Sequence, residues 1–177
     1  NRGIGVIKRL QNYVPRSSLL TIYKSFVRPH LDYADILYDH PNNESFSNKI
    51  ETVQYNASLA ITGAIRGTSR ERLYAELGLE YLSARRWFRK MTFFYKLLEN
   101  KSPKYLFNIL EQNLRIYNTR SANTLKVPFC RTDYYKNSFF PYTINEWNKL
   151  NPSIKKSKSY SDFCNSLLQI VRQAFLI

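Results

Sequence analysis

The chain has 177 residues, with 27 Lys and Arg against 13 Asp and Glu, for a net charge of +14. At 44% hydrophobic it is too apolar for a disordered polycation, which needs low hydrophobicity as well as high charge. Two cysteines (Cys130 and Cys164) and two histidines exclude a disulfide scaffold and a Cys-rich zinc site, and no apolar run approaches the roughly 20 residues of a membrane helix. The cysteine usage fits a reducing compartment and no secretion signal is present, so an intracellular setting, nucleus or cytoplasm, is expected. The chain opens on Asn1 rather than Met, as a piece of a longer protein would.

In chain order, a first helix is expected over 1–12, with Ile4, Ile7 and Leu10 on one side. Ser17 is expected to cap a second helix to about Arg28, burying Leu19, Tyr23, Phe26 and Val27. Arg28-Pro29 should break it, because a residue before proline is pushed out of the helical region. A short helix over 30–38 follows, then a turn at Pro41-Asn42-Asn43. Over 45–64, Ile50, Val53, Ala57, Ala60 and Ala64 repeat at helical spacing. Thr68 and Glu71 have the spacing of a capping box, and Gly78 suits the end of that short helix.

The helix over 81–100 carries the clearest pattern. Ala84, Trp87, Met91, Phe94 and Leu98 fall within a sector of about 80° at 100° per residue. Arg85, Arg86, Arg89 and Lys96 fall opposite, with Phe93 among them. Ser102-Pro103 reads as the start of a further helix. From 118 to 140 the pattern changes to alternation at Leu125, Val127 and Phe129, then an aromatic-rich stretch. Overall the chain reads as mainly α, a helical bundle with a small β-hairpin or extended segment around 119–140. Its expected division is 1–117 and 118–177. Two helices close the chain, one carrying Ile144, Trp147 and Leu150, the other opened by a Ser159 to Asp162 capping box.

Most catalytic classes find no support. There is no Gly-rich phosphate loop, and no Ser, Cys or Thr stands in a motif with a histidine base. Asp32, Asp35 and Asp39 would share a helix face, but a hard-cation site needs several converging elements. A solvated acidic strip, or ion pairs to Arg28 and other cations, accounts for them.

The positive charge is concentrated. Ten cations stand against four acids between Ala64 and Lys104, whereas seven stand against five over 1–63. Arg66, Arg70, Arg72, Arg85, Arg86 and Arg89 dominate, and the planar guanidinium suits phosphate oxygens. Phe93, placed among these cations, could stack on a base or sugar, or could bury against another helix. The patch therefore points to RNA or DNA as partner, without a membrane.

Several stretches, in order, resemble a known family. They are Pro15-Arg16-Ser17-Ser18-Leu19-Leu20, Tyr23-Lys24-Ser25-Phe26-Val27-Arg28-Pro29-His30-Leu31-Asp32-Tyr33, Gln54-Tyr55-Asn56-Ala57, and Ile61-Thr62-Gly63-Ala64-Ile65-Arg66-Gly67-Thr68-Ser69. Leu77-Gly78-Leu79-Glu80, Arg85-Arg86-Trp87, Arg131-Thr132-Asp133, Asn137-Ser138-Phe139-Phe140-Pro141 and Glu146-Trp147-Asn148-Lys149-Leu150 complete the set. Together they resemble the C-terminal region, thumb and post-thumb, of non-LTR (LINE-type, jockey-like) retrotransposon reverse transcriptases.

The resemblance implies a non-catalytic helical module that grips primer–template or template RNA through the backbone. Its partners would be an RNA–DNA hybrid and the palm and fingers of the same polypeptide. The catalytic Tyr-x-Asp-Asp motif and its Mg would belong to the palm, outside this chain, so no cofactor and no catalysis are expected here. Tyr33-Ala34-Asp35-Ile36 lacks the second acid. Arg66, Arg70, Arg72, Arg85, Arg86, Arg89 and Lys96 would meet phosphates and Phe93 a sugar or base. Arg120, Arg131 and Lys136 would hold a single strand. The rival expectation is a structural module docking on the palm or another protein, with cations that only solubilise.

Overall fold

The computed structural model describes residues 2–39, 43–99, 105–106 and 124–175. Among them the fold is mainly α, and no strand is present. The chain forms two compact units, Asn1–Arg86 and Trp87–Ile177. The division expected at 117–118 lies outside the described residues, as do the helix start at Ser102-Pro103 and Arg120.

In the first unit, helix α1 (Arg2–Leu10) buries Ile4 and Ile7, as its periodicity requires. Helix α2 (Arg16–Ile22) starts after Pro15, and Ser17 does not cap it. The chain then makes a wide π turn over Tyr23–Val27 and continues as α3 (Arg28–Asp32), which contains Pro29. The expected break at Arg28-Pro29 is thus corrected: Arg28 stays helical at φ −62° and ψ −35°, and its N–H donates to the Tyr23 carbonyl five residues back. The wide turn opens the backbone just ahead of the proline ring, where a regular turn would clash. It also shifts the register. Tyr23 and Val27 are buried, but Phe26, expected inward, is 70% exposed.

The single helix expected over 30–38 is also corrected. Ala34 is left-handed, at φ 53°, and separates α3 from α4 (Asp35–Tyr38). The Tyr38 hydroxyl donates to the Leu31 carbonyl across this break. Helix α5 (Glu44–Thr62) begins at Asn43, whose side chain accepts from the Phe46 N–H. Gly63 ends it at φ 73°. Helix α6 (Arg70–Leu77) is capped by Ser69, not Thr68: the Ser69 hydroxyl accepts from the Arg72 N–H at 3.3 Å. The Thr68 hydroxyl is turned the other way, donating to the Ile65 carbonyl.

The core of this unit joins Ile4, Ile7, Leu19, Tyr23, Val27, Ala57, Ala60, Ile61, Leu73, Tyr74 and Leu79. Close approach is built in at Gly3, where a Cβ would lie 2.8 Å from Val27 Cγ2. The same α5 face carries polar residues that periodicity alone does not announce. Glu51 and Gln54 are 5% and 1% exposed. Glu51 Oε2 accepts from the backbone N–H of Leu82 at 3.1 Å, at the first residue of α7 (Leu82–Leu98). Gln54 accepts from the Tyr23 hydroxyl at 2.7 Å and donates to the Glu80 carbonyl at 2.8 Å. The Tyr74 hydroxyl donates to the Glu51 carbonyl. Burial raises the Tyr23 and Tyr74 phenols above their ordinary range, which favours the neutral donor form each bond uses.

The second unit packs α7 against α9 (Phe139–Lys149) and α11 (Tyr160–Phe175). Its centre is aromatic. Tyr95 stacks on Phe163 at 4.3 Å, and Trp147 lies edge-on to Phe94 at 5.4 Å. Residues 124–130 are irregular, and 133–136 form a short helix, α8 (Asp133–Lys136), so no hairpin is found among the described residues of 119–140. Asn148 replaces a partner strand there, accepting from the Leu125 N–H and donating to the Leu125 carbonyl, both at 2.9 Å. Asn151 caps the short α10 (Pro152–Lys155), and at the start of α11 the Ser159 hydroxyl accepts from the Ser161 N–H rather than from Asp162 as the expected capping box would have it. No helix among the described residues is long and apolar enough to cross a membrane.

The Glu51 cap has a pH signature. Burial raises its carboxyl above the ordinary value of 4.5, opposed by the Tyr74 hydroxyl and the Leu82 N–H. The folded protein therefore holds this proton more tightly than the unfolded chain. Its contribution to stability is complete below pH 4.5 and is lost as pH rises through the native value. Glu51→Gln keeps an acceptor without the charge. Urea unfolding from pH 4 to pH 8 should show the variant gaining on the wild type as pH rises. The opposite trend would mean that the hydrogen bonds outweigh burial.

Candidate nucleic-acid interface

The arginines expected to form one basic face divide into two sets. Arg85 Nε and Nη2 donate to both carboxylate oxygens of Asp32 at 3.0–3.1 Å, and Arg28 Nε lies 3.8 Å from the same carboxylate. Arg86 is 2% exposed. Its Nε donates to Asp39 at 2.8 Å and its Nη2 to the Ser47 hydroxyl at 3.0 Å. Arg86 is therefore corrected as a phosphate contact: it is a buried structural cation. Arg85 is likewise committed to Asp32, with a quarter of its side chain exposed. The acids at 32 and 39 are ion-paired rather than a metal site. Among the described residues no group of three or more potential ligands stands close enough to hold a metal ion.

Further along α7 the expected solvent face is largely covered. Lys90 is 1% exposed, with its Nζ 4.9 Å above the Tyr142 ring. Phe93 packs edge-on against Phe139 at 5.6 Å beside the second core, so it is corrected from a base-stacking residue to a packing one. Arg89 is half-buried and Lys96 exposed, the latter with its Nζ 4.6 Å above Tyr160. Ala84 and Met91 are buried and Trp87 is half-buried, its indole N–H donating to Glu146 at 3.0 Å. That stripe is core and presents no docking face.

Two cations, Lys8 and Arg66, line a different site, in the first unit. A groove of about 710 Å³ runs between α1 and the end of α5. Gly5 and Lys8 come from one helix, and Asn56, Ala60 and Gly63 from the other, with Arg66 just beyond. Small residues on both helices leave the space. At Gly63 a Cβ would lie 2.9 Å from Gln11 Nε2, so the left-handed glycine also keeps the floor open. Arg66 and Lys8 are exposed at the rim.

Tyr55 holds the loop that carries Arg66. Its hydroxyl accepts from the Gly67 N–H and donates to the Thr68 carbonyl, both at 3.1 Å. The Arg70 guanidinium lies 5.7 Å over the same ring, and Arg72 is exposed one residue past Glu71. None of Lys8, Arg66, Arg70 and Arg72 has a carboxylate within ion-pair distance among the described residues. Arg16, by contrast, pairs with Glu76 and donates to the Thr62 carbonyl at the end of α5. Lys8 and Tyr55 carry no sequence signal of their own, because their roles appear only when α1 lies on α5. Arg131 and Lys136 are exposed in the second unit.

No family model, curated protein or solved structure matches this chain.

The two sets of arginines should separate experimentally. Arg86→Ala leaves the Asp39 carboxylate without its buried partner and should destabilise the fold by about 3–5 kcal/mol. Arg72→Ala, at the surface, should stay within about 0.5 kcal/mol. Urea unfolding of both variants measures this, and equal small effects would contradict the structural role of Arg86.

Proposed function

We propose that this chain is a non-catalytic nucleic-acid-binding module, the thumb and post-thumb region of a non-LTR retrotransposon reverse transcriptase. The ordered motifs from Pro15 to Leu150 support the family, and the net charge supports a polyanionic partner. The observation that carries the reading is Lys8 and Arg66 lining the groove at the end of α5, with Arg70 and Arg72 on the next helix, none of the four within ion-pair distance of a carboxylate among the described residues. A protein that needed these cations only for its own fold would have paired them, as it paired Arg85 and Arg86.

The mode of binding follows from the chemistry. Guanidinium and ammonium groups on helices and a short loop suit phosphates, contacts that position a nucleic acid without specifying its sequence. An RNA–DNA hybrid near A-form is gripped by shape and charge. The polymerase chemistry, with its metal and aspartates, belongs to the palm of the same polypeptide in this reading, and the setting is intracellular. A second reading, docking on that palm or on another protein, draws on Phe26, Tyr33 and Leu37, which are 70%, 80% and 80% exposed.

Filter binding of a labelled RNA–DNA hybrid at two or more salt concentrations tests the proposal. With three or four phosphate contacts, the slope of log K against log salt should be about −3 to −4. Arg66→Glu with Arg72→Glu should weaken binding at least about tenfold, to the same degree for unrelated sequences, and flatten the slope by about 2. A flat salt response in the wild type, or a loss confined to one sequence, would defeat the backbone-grip model.

A further inference from the structure

We propose that the groove between α1 and α5 receives the base of one unpaired nucleotide at the end of a duplex, a role that rests on the reading of this groove as a nucleic-acid site. Its lining is of three kinds. Gln11, just past α1, and Asn56, on α5, present carboxamides. Lys8 and Arg66 stand exposed at the rim, and Ile4, Leu59 and Ala60 supply apolar surface to the same cavity.

The carboxamides select the ligand. Both are half-buried, and neither has a hydrogen-bond partner among the described residues. Each offers N–H donors and a carbonyl acceptor side by side. A phosphodiester accepts but does not donate, so a plain anion would leave both carbonyl oxygens unmet. A nucleobase edge carries donors and acceptors together, and Asn and Gln meet such edges with paired hydrogen bonds. The apolar wall suits the faces of the ring, and the rim cations suit the phosphate of the same nucleotide. At about 710 Å³ the cavity lies within the range of small-molecule sites, roughly 300–1,000 Å³. A base inside a duplex must be unpaired and unstacked before it can enter such a site, whereas an overhanging one is free of that cost.

Gly5 points the same way. It sits inside α1, where glycine weakens a helix relative to alanine, and a Cβ there would meet nothing within 4 Å. Packing accounts for Gly3 and Gly63, whose Cβ positions fall 2.8 Å and 2.9 Å from neighbouring side chains, but not for Gly5. The space its missing side chain leaves is in the groove, which it lines.

Fluorescence anisotropy of the whole chain with two RNA–DNA hybrids tests this. One ends in a single unpaired 3′ deoxyadenosine, the other in an abasic residue, so both offer the same phosphates. The deoxyadenosine end should bind about tenfold tighter. Asn56→Ala and Gly5→Leu should each bring that ratio to about one, the first by removing hydrogen bonds and the second by filling the groove. Neither should lower the unfolding temperature, because Asn56 gives up no internal hydrogen bond and leucine is the better helix former in open space. A wild-type ratio of one, or a ratio that survives either variant, would overturn the proposal. So would competition by inorganic phosphate as strong as by AMP, which marks a plain anion site. Equal binding of both hybrids with a steep salt dependence would leave the nucleic-acid reading standing and remove the base site alone. Binding of neither hybrid would remove both.

Discussion

A buried carboxylate, Glu51, governs the first unit. Four N–H groups at the start of any helix lack partners, and here one of them, on Leu82, is met by a side chain from 31 residues earlier. The carboxylate sits at the positive end of the α7 dipole, which offsets part of the cost of burying it. Beside it, Gln54 ties Tyr23 to the Glu80 carbonyl. These bonds fix where α7 begins relative to α5. That placement brings Arg85 to Asp32 and Arg86 to Asp39, across 53 and 47 residues of sequence.

This arrangement changes what the positive charge means. Counting cations located the basic region but not the basic surface. Arg86 balances charge inside the fold, and removing its partner would leave a buried ion without compensation. Lys8 and Arg66, at the α1–α5 groove, are exposed to solvent instead. The loop carrying Arg66 is held by the Tyr55 hydroxyl, and the Arg70 guanidinium lies over the same ring.

Helix existence was legible because it rests on local periodicity: Ile4 and Ile7, Ala57 and Ala60, and Met91 and Phe94 all face the cores their spacing implies. What failed depended on distant residues or on small backbone shifts. The π turn at Tyr23–Val27 let the helix pass through Pro29 and turned Phe26 outward. A left-handed Ala34 split the segment that would have lined up three aspartates. Phe93 looked exposed on a helical wheel because one helix in isolation has a solvent face, and Phe139 covers it. Of the candidate site, Arg66, Arg70 and Arg72 could be read from the chain. Lys8 and the positioning role of Tyr55 could not, since both arise from α1 and α5 packing together.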